Sequence, residues 1–189
     1  MTPPAELDLT DLPQFLARLG DRDAGAAALA RQLLDRGWSV QSFWGPEQMD
    51  VWSLTVRREG RTVRFGIERG YVDPVMVASD GDGDAEPAYR LLSLAILGWA
   101  RASGVDLPFP GVDLPFPGVK DFRPDLGAHG LEAIDWLAAG NDHVLARIDA
   151  AWKADRARRH EPAGRAAEGI VVDARARGIR AIEEAAVPR

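Results

Sequence analysis

Few side chains in this chain have the types and spacing that chemistry needs. Its three histidines, His129, His143 and His160, lie far apart, and it contains no cysteine. No histidine has a partner at the i, i+4 spacing that sets two ligands on one helix face, and no nearby carboxylate completes a hydrolytic metal site. Without cysteine there is no thiol nucleophile, thiolate metal site or disulfide framework. A G-x-S-x-G elbow, a phosphate-cradling glycine loop and a dinucleotide fingerprint are all missing. His143 follows Asp142 at the start of a helix, where a polar side chain caps free backbone groups. No catalytic residue is assigned, and no cofactor is expected.

Two polar groupings remain. Arg64, Glu68, Tyr71 and Asp73 gather around one predicted strand and could furnish a small-ligand pocket between a sheet and its helices. Asp80, Asp82 and Asp84 alternate like the opening of a calcium loop. That match fails at the sixth position, Ala85, and at the twelfth, Leu91, where glycine and a bidentate glutamate are needed. The competing reading is an acidic turn at the positive end of a helix dipole, so these aspartates are weak metal candidates and no metal is expected.

The element that must position the first grouping is residues 38–78, which read as four consecutive strands. Val63, Phe65 and Ile67 alternate with Arg64, Gly66 and Glu68, the period of a strand with one buried and one solvated face. Trp52, Leu54 and Val56 alternate likewise with Ser53, Thr55 and Arg57. Gly60 between them can take the positive φ of a tight hairpin. Residues 38–44 form a preceding strand that Gly45 and Pro46 should end, and residues 71–78 a fourth, interrupted by Pro74. Such a meander leaves an apolar face that helices must cover.

Helical spacing supplies those helices. Leu12, Phe15, Leu16 and Leu19 mark a helix over residues 11–19, with Asp8 or Thr10 as its N-cap and Gly20 as its end. A second spans 23–35, with Gly37 placed as its C-terminal cap. Residues 86–102 form the most apolar helix, with Pro87 in its first turn and a stripe of Tyr89, Leu92, Ala95, Ile96 and Trp99. Further helices read over 128–139 and 142–160, the latter capped by Asn141, and a thinly apolar one over 165–186. The fold class expected is α+β: two N-terminal helices, a four-stranded antiparallel β-meander, a central apolar helix and a helical C-terminal region. The expected division is an α+β domain over 1–126 and a helical region over 127–189.

Between the central helix and the C-terminal helices lies a tandem repeat, in which Val105 to Gly111 recurs without change as Val112 to Gly118. Its prolines exclude helix and favour extended, polyproline-like backbone. Phe109 and Phe116 could anchor a partner on this loop. The favoured reading is that the second copy is a recent duplication tolerated at the surface, because a longer loop costs little closure entropy.

The formal charge of −6 is unevenly spread. From residue 151 onward nine Lys/Arg face six acidic residues, which leaves −9 on the first 150. An acidic body disfavours nucleic acid, whose phosphates need clustered positive charge. The longest apolar run, residues 91–100, is too short to span a bilayer, and the acidic N-terminus lacks the features of a signal peptide. A cytoplasmic location follows as the expectation. Arginine makes up all the cations but Lys120 and Lys153, the composition of a GC-rich bacterial gene.

The functional expectation is a small acidic soluble protein-binding module of inhibitor, immunity or chaperone type. Its expected partner is another protein with a basic surface, and a homodimer stays open. Trp44, Trp52, Phe109, Phe116, Arg64 and Glu68 are its candidate contact residues. The alternative is an enzyme or small-ligand binder with its pocket between sheet and helices.

Overall fold

The computed structural model describes residues 7–47, 49–80, 88–107 and 124–160. Phe109, Phe116, Asp82, Asp84, Pro87 and the helix expected over 165–186 lie outside the described residues. The chain divides into two compact units, with boundaries after Leu92, Pro124 and Leu131. The α+β class and the two N-terminal helices stand as read.

In the first unit, α1 (Leu12–Arg22) and α2 (Ala24–Asp35) precede the sheet. Helix α1 runs through Gly20, because one glycine costs a helix only about 1 kcal/mol, and its cap is Asp11. It stops where Asp23 turns extended and receives the N–H of Ala26 on its carboxylate at 2.9 Å, capping α2. At the far end Gly37 takes φ +81°. There Trp38 N–H donates to Leu33 O at 3.1 Å and Gly37 N–H to Leu34 O at 3.0 Å, a Schellman cap.

The sheet comprises β1 (Ser39–Glu47), β2 (Val51–Arg58), β3 (Arg61–Glu68), β4 (Tyr71–Val72), β5 (Met76–Ser79) and β6 (Arg90–Leu91). Its order is β1-β2-β3-β5-β6, with β4 also paired to β3, and every pairing is antiparallel. Two details differ from the sequence reading. Strand β1 continues past Pro46, because it is an edge strand and its register shifts between Trp44 and Glu47, where a bulge removes the need for a proline N–H. Residues 90 and 91 pair with β5, so the apolar helix, α3 (Leu92–Ser103), starts at Leu92 and Tyr89 precedes it.

Three hairpin turns carry paired positive φ, at Met49 and Asp50, at Glu59 and Gly60, and at Arg69 and Gly70. In the second and third, two-residue loops between Arg58 and Arg61 and between Glu68 and Tyr71, this is the φ pattern of the type I′ turn that matches strand twist. Only the first lacks glycine. Asp50 is held there by Arg18 Nη1 at 2.5 Å, Arg22 Nη2 at 3.1 Å and Trp52 Nε1 at 2.9 Å, whereas Met49, at φ +71° and 59% exposed, has no such compensation. Met49→Asn should therefore stabilise the fold by about 0.5–1 kcal/mol, because asparagine tolerates the left-handed region. A higher urea midpoint with unchanged slope is the expected readout.

The apolar face of this sheet carries Trp52, Leu54, Val56, Val63, Phe65 and Ile67, all fully or almost fully buried. Phe15 of α1 brings its ring 5.9 Å from Phe43 and 6.0 Å from Trp52. The opening turns of α4 (Leu126–Trp136) belong to this unit too. Asp125 caps them through Ala128 N–H at 3.1 Å. A Cβ on Gly130 would lie 2.7 Å from Leu29, so glycine lets α4 close on α2.

The second unit buries Leu94, Ala95, Ile96, Leu97 and Ala100 of α3 with Ala133 and Ile134 of α4, Leu137, and Val144, Leu145 and Ile148 of α5 (Asp142–His160). Gly98 admits the Trp136 ring, which a Cβ would meet at 2.7 Å. Between α4 and α5 the chain makes a wide turn, Leu137–Asn141, kinked at Gly140 with φ +94°. Asn141 is not the N-cap of α5: its side-chain amide donates to Trp136 O at 2.8 Å and closes α4. His143 Nδ1 lies 3.1 Å from Gly140 O, a capping position. No helix among the described residues is long and apolar enough to cross a membrane.

Candidate functional site

Strand alternation determines what surrounds Gly66. With Phe65 and Ile67 turned into the core, Arg64, Gly66 and Glu68 face the other way. The antiparallel register sets Ser53 opposite Gly66 and Trp44 opposite Ser53. Thr55 and Met76 pair with Arg64 from either side, and Tyr71 pairs with Glu68. Gly66 thus occupies the centre of a grid of outward-facing positions and has no side chain to fill it.

The result is a cleft of about 360 Å³ lined by Trp44, Ser53, Arg64, Gly66, Glu68 and Asp73, with Val51, Pro74 and Met76 among the apolar lining. Asp73 enters because β4 ends at Val72 and the chain breaks away toward Pro74. Its N–H still donates to Gly66 O at 3.0 Å, and its carboxylate lies over the glycine, where a Cβ would be 2.4 Å from Oδ2. Arg64 is drawn aside, with its guanidinium 4.6 Å from the Tyr89 ring centre. Among the described residues Glu68 has only a long, exposed contact with Arg69 at 3.7 Å, of little energetic weight.

Asp73 is solvent-accessible as a whole, yet its carboxyl is partly desolvated against the strand. That desolvation, followed by the charge of Glu68, raises its pKa above 3.8, and Arg64 opposes the shift. A carboxylic acid whose pKa rises on folding favours the fold below its unfolded pKa and loses that contribution as pH climbs through the folded value. Asp73→Asn should consequently melt at a higher temperature than the parent at pH 7, with the gap closing below pH 3.8. Melts of both proteins across this range test the sign.

The cleft unites Trp44, Arg64, Glu68 and Asp73, and strands with the β4–β5 connection supply all of its described lining. This cleft lies on the sheet face to which Arg64 and Glu68 point, and is distinct from the pocket between sheet and helices that the sequence suggests. Trp52 as a contact residue is corrected. It is 1% exposed and its indole is held by Phe15, Phe43 and Asp50, so it offers no free ring to a partner. Trp44 is 44% exposed and Tyr71 79%. Asp80 lies apart, ion-paired with Arg57 and donating its N–H to Gly60 O at 2.7 Å, and no group of three metal-ligating side chains occurs among the described residues.

Sequence reasoning names Asp73 among the polar groups of a pocket but misses Gly66, over which the Asp73 carboxylate lies. A glycine inside an otherwise regular strand was the available signal, since it marks a close approach. Comparison with protein-family models, curated proteins and solved structures finds no match to this chain.

Proposed function

We propose that this protein is a non-catalytic binding module, of inhibitor, immunity or chaperone type, that docks another protein on the open face of its sheet. The observation that carries this reading is the Gly66 cleft, because it combines an exposed indole, two carboxylates and a missing side chain at one place. Met49 in the β1–β2 turn and Tyr71 beside Glu68 add exposed apolar surface at the same end of the sheet. Aromatic and methionine side chains around a polar centre suit protein recognition. The acidic character of residues 1–150 favours a basic partner and a salt-sensitive encounter.

A photo-crosslinking residue at position 71 tests this in the native cell, with position 36, at the end of α2, as control. One protein joined from position 71 and not from 36 is the expected result; identical patterns from both would refute it.

A small-ligand binder or enzyme is the second reading, favoured by the raised pKa of Asp73 beside Glu68, a pairing suited to acid–base work. Saturable binding of a neutral metabolite that Asp73→Asn and Glu68→Gln abolish would select it.

A further inference from the structure

The Gly66 cleft has a shape and a charge that specify its occupant more narrowly than a protein surface. Trp44 stands two strands away across Ser53, leaving a flat aromatic wall with 44% of the residue exposed. Glu68 lies two positions along β3 and Asp73 overhangs the floor from the other side. Among the described lining residues the one cation, Arg64, is engaged with Tyr89 and forms no ion pair with a described carboxylate. Two negative charges against one positive leave the cleft short of positive charge.

We infer that the cleft is a receptor for an arginine side chain of the docked partner, its guanidinium stacked on Trp44 and hydrogen-bonded to Glu68 and Asp73. Several observations select this occupant. A guanidinium is planar and weakly hydrated, so it can lie on an indole face and present N–H groups at its edge to carboxylates. An ammonium would satisfy the charge but not the flat wall. An anion would face two carboxylates and find Arg64 already turned to Tyr89. The absent Cβ at Gly66 provides depth for the group, and Met76 and Pro74 can receive its methylene stem.

This inference rests on the reading of the sheet face as a docking surface, and its test separates the two. N-acetyl-arginine amide is titrated into the full chain and followed by the Gly66 amide and Trp44 indole resonances in proton–nitrogen spectra. The expected result is saturable, millimolar binding that weakens about tenfold or more in Glu68→Gln with Asp73→Asn, the scale of losing charged partners. N-acetyl-citrulline amide, of equal shape without the charge, should leave both signals in place. Equal binding of citrulline amide, equal binding of the lysine analogue, or no saturable shift with arginine amide would each overturn the arginine receptor. A partner crosslinked at position 71 whose capture ignores the double substitution would overturn it too, while leaving the docking face intact. Arginine amide binding without any crosslinked protein would do the reverse.

Discussion

Trp52→Ala should destabilise the first unit by about 3–5 kcal/mol, the range for removing a large buried aromatic. The indole is 1% exposed, sits against Phe15 and Phe43, donates to Asp50 at 2.9 Å and lies 5.8 Å beneath the Arg18 guanidinium. Its loss opens a cavity that α1 and β1 would have to collapse into, and it deprives Asp50 of one of three donors. The melting midpoint should fall by roughly 10 °C or more. Trp52→Phe keeps most of the packing and loses the N–H, so its cost should be nearer 1–2 kcal/mol. Equal losses in the two variants would mean that the hydrogen bond to Asp50, and not the aromatic cluster, supports the indole.

Gly66→Ala should have the largest effect on binding with little effect on the core. The added methyl would stand 2.4 Å from Asp73 Oδ2, so the carboxylate must swing away and the floor of the cleft rises. On the account above, arginine amide should then bind at least tenfold more weakly, one partner of a charged contact having been displaced. The expected secondary effect is relief of the desolvation that raises Asp73, so its titration should move back toward 3.8. Carbon-detected titration of the Asp73 carboxyl measures this directly. Unchanged titration together with unchanged affinity would show that Asp73 does not close over Gly66.

How much of this could be read beforehand follows from what each signal depends on. The β2–β3 hairpin, the Gly60 turn and the Gly37 cap were legible because they are local: alternation and one glycine suffice. Strand β6 was not, since Arg90–Leu91 precede an apolar helical run and only pairing with β5 makes them a strand. Pro46 could not be placed inside β1 without knowing that β1 is an edge. Gly20 looked like a stop, but the ending depends on Asp23, which terminates α1 and caps α2 in one residue. For the site, Arg64 and Glu68 were legible as the outward positions of β3. Their meeting with Trp44 required the register, and the position of Asp73 required the break between β4 and β5. The role of Gly66 lies in what it lacks, which no pattern of side chains announces.

The most direct test of the central claim is capture from native lysate by the tagged full chain, at low and at moderate salt, beside its Glu68→Gln, Asp73→Asn double variant. The account predicts a single basic protein held in stoichiometric amount, weakened by salt and lost from the double variant. A partner retained equally by both baits, or a parent bait that holds no protein, would contradict it.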